Sequence, residues 1–281
     1  MTPEAQSVLI LVGSIAAGCL GALTGLGGGV VVVLLLVLGF GVEMRLAVGA
    51  SLVAVIATSC SSSASFLRGG YVNLRVGTVL ELATALGAVL GAAVSPWLPV
   101  RTISLLFCAV LFWSAWQAIR QRTEHEFSPD GHRDPIAVRL GLDGTVPGKA
   151  GAVRYRVDRV AAGLFVMLGA GVLSALVGIG GGVVKVLAMD RLMRMPFKAS
   201  TTTSNLMIGV TAAASAGVYF GRGQIEPMLA APVALGAIIG AAIGSKLLAV
   251  VPVRAVRLVF AAMVIGSGVQ LLVRTLTGGV G

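Results

Sequence analysis

Long stretches without a charged residue constrain this chain most. Charge-free runs cover residues 5–42, 46–67, 82–100, 102–119, 160–184, 199–221, 227–245 and 258–273. A helix needs about 18–20 apolar residues to cross a bilayer, and most of these runs are that long. The sequence therefore predicts an all-α polytopic membrane protein, embedded in the lipid bilayer of the cell inner (cytoplasmic) membrane.

Charge and cysteine content exclude other classes of protein. Only 11% of the 281 residues are charged, against roughly 25% in soluble domains, so a soluble enzyme is excluded. The net charge of +10 comes from basic residues in the connections between apolar runs, which favours membrane topology over nucleic-acid binding. The three cysteines lie inside apolar runs at no metal-binding spacing. We therefore predict no metal, no cofactor and no nucleic-acid partner.

An internal repeat organises the chain. The run Gly25–Val31 (GLGGGVV) returns 153 residues later as Gly178–Val184 (GIGGGVV), and Pro99-Val100-Arg101 returns as Pro252-Val253-Arg254 at the same offset. Homologous halves are a known architecture of secondary transporters. We therefore divide the chain into a first repeat (residues 1–119), a cytoplasmic connection (120–158) and a second repeat (159–281).

Each half is predicted to contain five helical segments. The second segment of each half has only eleven residues, which span about 16 Å of a hydrocarbon core about 30 Å thick. We expect these short segments to follow breaks at the glycines. The predicted segments are 6–24, 30–40, 46–67, 76–95 and 101–119 in the first half, and 160–177, 183–193, 199–220, 227–249 and 254–273 in the second half.

The distribution of basic residues favours inverted repeats. Five crossings in each half place 15 of the 21 Lys and Arg residues in the cytoplasm when the 120–158 connection is inside. Four crossings in each half would divide these residues more evenly. Because cytoplasmic loops are enriched in Lys and Arg, we predict inverted repeats with both termini outside. Within the connection, the alternation of Val153–Val157 predicts a short strand that pairs with Ala137–Leu140.

The repeated glycines are the first candidate site. Glycine interrupts a membrane helix, and the helix start that follows offers unpaired N–H donors and a partial positive charge to an anion. Close helix packing through small residues is the alternative explanation. Two clusters at matching positions, each before a short segment, favour a transporter binding site.

Charged and polar residues inside the apolar runs extend this site. Lys185 follows the second cluster, and its charge in a bilayer is costly unless an anion compensates it. Lys246 lies near the end of its segment, where snorkelling to the interface explains it. Glu81, the lone carboxylate within a segment, either carries a coupling proton or lies near the inner interface; a proton or a sodium ion could be the coupling ion.

A run of hydroxyl and amide side chains opens the third segment of the second half. It starts after Lys198, whose equivalent in the first half is Arg45. Four consecutive hydroxyls and an amide are more polar groups than a helix cap needs, so we expect some of them to line a polar path. Hydroxyls can solvate an oxyanion without binding it so tightly that it cannot leave. The candidate substrate-binding residues are therefore Gly25, Gly27, Gly28, Gly29, Ser51, Gly178, Gly180, Gly181, Gly182, Lys185, Thr202, Thr203, Ser204 and Asn205.

These motifs resemble the sulfite exporter TauE/SafE family, also called the toluene-sulfonate uptake permeases. The resemblance rests on the G-[LI]-G-G-G run, the short apolar helix after it, and the basic residue that leads to Ser51 or Ser204. A proline common in that family is replaced by Leu34 and Leu187. The resemblance implies transport of sulfur-containing anions, such as sulfite, thiosulfate, sulfonates and sulfoacetate.

The sequence thus predicts a secondary transporter that moves a small anion by alternating access. An anion channel or a carboxylate transporter of the same fold is the alternative. An enzyme is not expected, because no histidine lies in any apolar run and no nucleophile with a neighbouring base is visible.

Overall fold

A computed structural model of the chain describes residues 3–24, 28–68, 70–119, 134–148, 151–247 and 253–277. Its described part is almost entirely helical, and six helices are long and apolar enough to cross a membrane. This confirms the predicted all-α polytopic architecture. These six are α1 (Pro3–Thr24), α3 (Met44–Arg68), α4 (Leu74–Val94), α5 (Val100–Ile119), α7 (Val160–Val177) and α10 (Pro227–Leu247). Two further long helices are α9 (Phe197–Gly221) and α11 (Val253–Leu276).

Two short helices stand where the sequence predicts short segments. Helix α2 (Gly29–Leu34) continues into a π-helical turn, Leu35–Gly39, and α8 (Gly182–Leu187) continues into a second turn, Ala188–Leu192. Each continuous segment has eleven residues, too few to span the hydrocarbon core as a straight helix.

The internal repeat extends to the boundaries of the helices. Helices α8, α9 and α10 begin and end 153 residues after α2, α3 and α4, and both π-helical turns obey the same offset. Helices α5 and α11 begin at the same offset, although α11 runs further at its C-terminal end. The two halves therefore contain the same succession of elements.

Equivalent helices of the two halves exchange packing partners. Helix α1 packs on α10 and α4 packs on α7, while α3 contacts α9 and α5 contacts α11. Glycines allow the backbones to approach at these crossings. A Cβ atom added to Gly87 would lie 2.0 Å from the carbonyl oxygen of Leu168, and one added to Gly240 would lie 2.1 Å from that of Ile15. Both pairs are related by the repeat offset.

The described part of the connection folds against the ends of the helices. It contains α6 (Pro135–Leu140) and a hairpin of β1 (Gly144–Gly148) with β2 (Gly151–Tyr155). The predicted pairing of Val153–Val157 with Ala137–Leu140 is therefore wrong. Asp134 caps α6, since its carboxylate accepts a hydrogen bond from the amide of Ile136 at 2.8 Å, and Pro135 favours the first helical position.

Candidate functional site

Glycine conformation sets the start of both short helices. Gly28 precedes α2 with a φ of 65°, and Gly181 precedes α8 with a φ of 66°. Side chains other than glycine rarely adopt this left-handed conformation. The sequence therefore breaks the chain at the same point in both halves. Gly25 and Gly27, which are also candidate residues, lie outside the described residues.

The two glycine clusters meet. A Cβ atom added to Gly29 would lie 2.6 Å from the carbonyl oxygen of Gly178, so the two backbones touch. The Ser51 hydroxyl of α3 donates to the same Gly178 oxygen at 2.9 Å. Gly180 also has a positive φ, and its Cα faces Val55 and Ile208. The structure thus brings predicted site residues of both halves together.

The hydroxyl run of α9 divides into groups with different partners. Ser204 contacts the second glycine cluster, with its Oγ 3.3 Å from the carbonyl oxygen of Gly182. Thr203 accepts a hydrogen bond from the backbone amide of Asn73 at 3.0 Å. Thr202 donates to the carbonyl of Lys198 within its own helix. Of these three hydroxyls, Ser204 is the one placed against the glycines.

Asn205 follows Ser204 and is 3% exposed. Its side-chain nitrogen makes no hydrogen bond to any residue that the structure describes. Its backbone carbonyl accepts a hydrogen bond from Ser59 of α3 at 2.5 Å, and Ser59 accepts one from the amide of Gly209 at 3.1 Å. Ser59 thus holds the backbone of α9 in place around Asn205, while the Asn205 side-chain amide can still donate a hydrogen bond to a ligand.

Lys185 and Glu81 form a buried ion pair. The ammonium nitrogen of Lys185 lies 3.7 Å from Oε2 of Glu81, and the Lys185 side chain is fully buried. Thr211 of α9 accepts a hydrogen bond from Lys185 and donates one to Oε1 of Glu81 at 2.6 Å. Thr84 donates to Oε2 of Glu81 at 3.0 Å. The carboxylate therefore has three polar partners.

This pair was only half visible in the sequence. The sequence marks Lys185 and Glu81 as isolated charges, but it does not distinguish Thr84 and Thr211, because threonines that bond their own helix backbone are common in membrane helices. Opposite lone charges in two halves of a membrane protein were the signal that could have paired them. Lys246, by contrast, is exposed near the end of α10, in keeping with snorkelling.

The connection contacts helix α9 through Asn73. The Asn73 side chain donates hydrogen bonds to the hydroxyl of Tyr155 at 2.8 Å and to the carbonyl of Leu142 at 2.9 Å, while its backbone amide binds Thr203. Burial raises the pKa of the Tyr155 phenol above its ordinary value, so this contact is made by the neutral hydroxyl. The hairpin is therefore linked to α9 through two hydrogen bonds.

Comparisons with known proteins agree with this architecture. The sequence profile of the sulfite exporter TauE/SafE family matches residues 9–271. The chain is 24% identical over 272 residues to the probable membrane transporter protein YunE of Bacillus subtilis, covering 94% of this chain and 97% of that protein. It is 25% identical over 229 residues to the probable membrane transporter protein YdhB of the same organism, covering 81% and 84%. No solved structure matches the chain.

Proposed function

The chain belongs to the TauE/SafE sulfite exporter family of membrane transporters, and from this premise we propose that it carries a small sulfur-containing oxyanion or organosulfonate by alternating access. Candidate cargoes are sulfite, thiosulfate, sulfonates and sulfoacetate. The binding site in this proposal lies where the glycine clusters meet, beside Ser204 and Asn205.

One observation carries the choice of an anion. The Asn205 side-chain nitrogen is a buried donor without an acceptor among the described residues. A buried donor that stays unpaired costs about 1–3 kcal/mol, and an oxyanion offers several acceptor oxygens. The segment that begins at Gly182 adds backbone amides, since the first N–H groups of a helical segment lack acceptors within it.

The repeat supports a functional role for this donor. The residue equivalent to Asn205 in the first half is Leu52, which is fully buried in α3. The framework therefore accepts an apolar side chain at this position without a polar partner. A buried amide in only one half is consistent with selection for binding rather than for packing.

Flux measurements test the proposal. Purified protein in proteoliposomes should take up radiolabelled sulfite, thiosulfate or a sulfonate with saturation and counterflow, and it should prefer these anions to carboxylates of similar size. Non-saturating flux without counterflow would indicate a channel. Preference for carboxylates would overturn the assigned substrate class.

A pair of variants tests the site itself. Asn205→Leu copies the first repeat, so we expect it to fold and to weaken anion binding roughly ten- to a hundredfold, as loss of a hydrogen bond to a charged group implies. Thr202→Val is the matched control, because Thr202 bonds to its own helix backbone, and its affinity should be unchanged. Equal anion affinity in Asn205→Leu and the parent protein would remove Asn205 from the site.

A further inference from the structure

The buried ion pair joins the two halves and has no repeat-related equivalent. At the repeat-related positions, Val32 replaces Lys185 and Ala234 replaces Glu81. Helices α2 and α10, which carry these apolar residues, have the same boundaries at the repeat offset as α8 and α4, so the ion pair is not required to build this framework. Burying two charges costs several kcal/mol for each ion, which points to a function other than stability.

The ion pair and its threonine partner connect three different helices. Glu81 lies on α4, Lys185 on α8 and Thr211 on α9, and α8 is the short helix that starts at the second glycine cluster. Lys185 follows Gly182 by three residues, about one helical turn. The Lys185 backbone therefore lies one turn from the glycine cluster, while its ammonium contacts Thr211 and Glu81. Glu81 neutralises this charge.

Electroneutrality then limits how an anion can bind. With Glu81 ionised, the pair has no net charge, and an added anion would leave an uncompensated negative charge in a medium of low dielectric constant. If Glu81 takes up a proton, Lys185 keeps its charge and the anion compensates it. A proton and a monovalent anion together restore the net charge of zero.

We propose that Glu81 is the proton-binding residue of this transporter and that Lys185 transfers its ion pair from Glu81 to the anion. An O–H bond forms on the Glu81 carboxylate with a proton from water, and the same proton leaves when the anion leaves. This proposal rests on the proposed function and adds a coupling ion, a proton, with one proton per monovalent anion.

The surroundings favour a proton over sodium. The oxygens of Glu81, Thr84 and Thr211 could contact a cation, but the ammonium of Lys185 already lies beside Glu81 and Thr211. Among the described residues of the packed helices, the other cations have their own partners: Arg45 of α3 donates to the carbonyl of Leu98, and Arg75 of α4 donates to that of Gly141. Helix α7 contains no titratable residue, and on α9 Lys198 and Tyr219 lie near opposite ends of the helix, facing Tyr71 and Ser95.

Infrared spectroscopy tests proton binding without requiring transport. Acidification of the reconstituted protein in the presence of sulfite should produce the C=O band of a protonated buried carboxyl group. Glu81→Asp should shift this band and Glu81→Gln should remove it, whereas Glu226→Gln, which changes an exposed carboxylate, should leave it in place. Absence of the band in the parent protein, or a band unaffected by either Glu81 substitution, would overturn the proposal.

Flux measurements test coupling. In the parent protein, an inward proton gradient should drive accumulation of radiolabelled sulfite, supplied at a pH where hydrogen sulfite predominates, or of a monovalent sulfonate. In Glu81→Gln, which imitates the protonated residue, that accumulation should be lost while exchange of internal for external anion continues. Accumulation driven by sodium, or by the proton gradient in Glu81→Gln, would overturn the proposal. If the parent protein moves none of the tested anions but shows the Glu81 band, the substrate assignment fails and the proton site stands.

Discussion

Lys185 is the residue whose replacement we expect to change anion binding most directly. It is fully buried, and an apolar side chain of smaller size, Val32, occupies the equivalent position. We expect Lys185→Met to fold, because Glu81 can become neutral by binding a proton. Anion affinity should fall roughly ten- to a hundredfold with the loss of a charge-assisted hydrogen bond. Isothermal titration of the purified variant with sulfite measures this change.

Lys246→Met is the control for that experiment, since Lys246 is exposed near the end of α10. Its anion affinity should equal that of the parent protein. Unchanged affinity in Lys185→Met would exclude this lysine from the binding shell.

For single residues, the sequence predicts which polar side chains lie in apolar segments, but not which of them are in contact. Periodicity and spacing identify Lys185, Glu81 and Ser204 as polar groups in apolar segments. The contacts of Glu81 with Lys185 and of Ser204 with Gly182 join residues more than twenty positions apart and depend on how α4, α8 and α9 pack. The contact of Glu81 with Lys185 is one of these, and spacing along the chain does not predict it.

At the level of helices, the close crossings of the long helices depend on glycine. An alanine at Gly87 would place its Cβ atom 2.0 Å from the carbonyl oxygen of Leu168. Because backbone cannot move aside without separating α4 from α7, we expect Gly87→Ala to destabilise the protein by about 1–3 kcal/mol. A thermal melt of the detergent-solubilised protein, followed by size-exclusion chromatography, measures this loss.

Gly169→Ala is the matched control on α7. A Cβ atom there meets nothing within 4 Å, and alanine is preferred to glycine within a helix by about 0.5–1 kcal/mol. Its thermal stability should therefore equal or exceed that of the parent protein. Equal melting of Gly87→Ala and Gly169→Ala would show that the crossing tolerates wider spacing.

The elements themselves were predictable because their signals are local and repeated. The apolar runs and the glycine clusters place the ten predicted segments within a few residues of their observed ends. The failure lies in the connection, where the alternation of Val153–Val157 correctly predicts a strand but cannot identify its partner. Capping by Asp134 and the proline after it make the proposed partner, Ala137–Leu140, a helix.

The orientation of the whole molecule in the membrane remains a prediction from charge. We expect the connection between the repeats in the cytoplasm and both termini outside, because this arrangement places 15 of 21 Lys and Arg residues inside. The described basic residues near α6, α7 and α8 fit one common end of the molecule, since Arg75 donates a hydrogen bond to the carbonyl of Gly141 and Arg194 pairs with Asp158 at 3.6 Å.

Cysteine accessibility tests this orientation directly. Single cysteines introduced at Val153, at Thr277 and at Ala5, in a background with the three native cysteines replaced, should react differently with an impermeant maleimide added to intact cells. The Ala5 and Thr277 positions should be labelled from outside, and Val153 only after the membrane is opened. Labelling of Thr277 only after opening would mean that the two halves have the same orientation, because an even number of crossings would then separate equivalent helices.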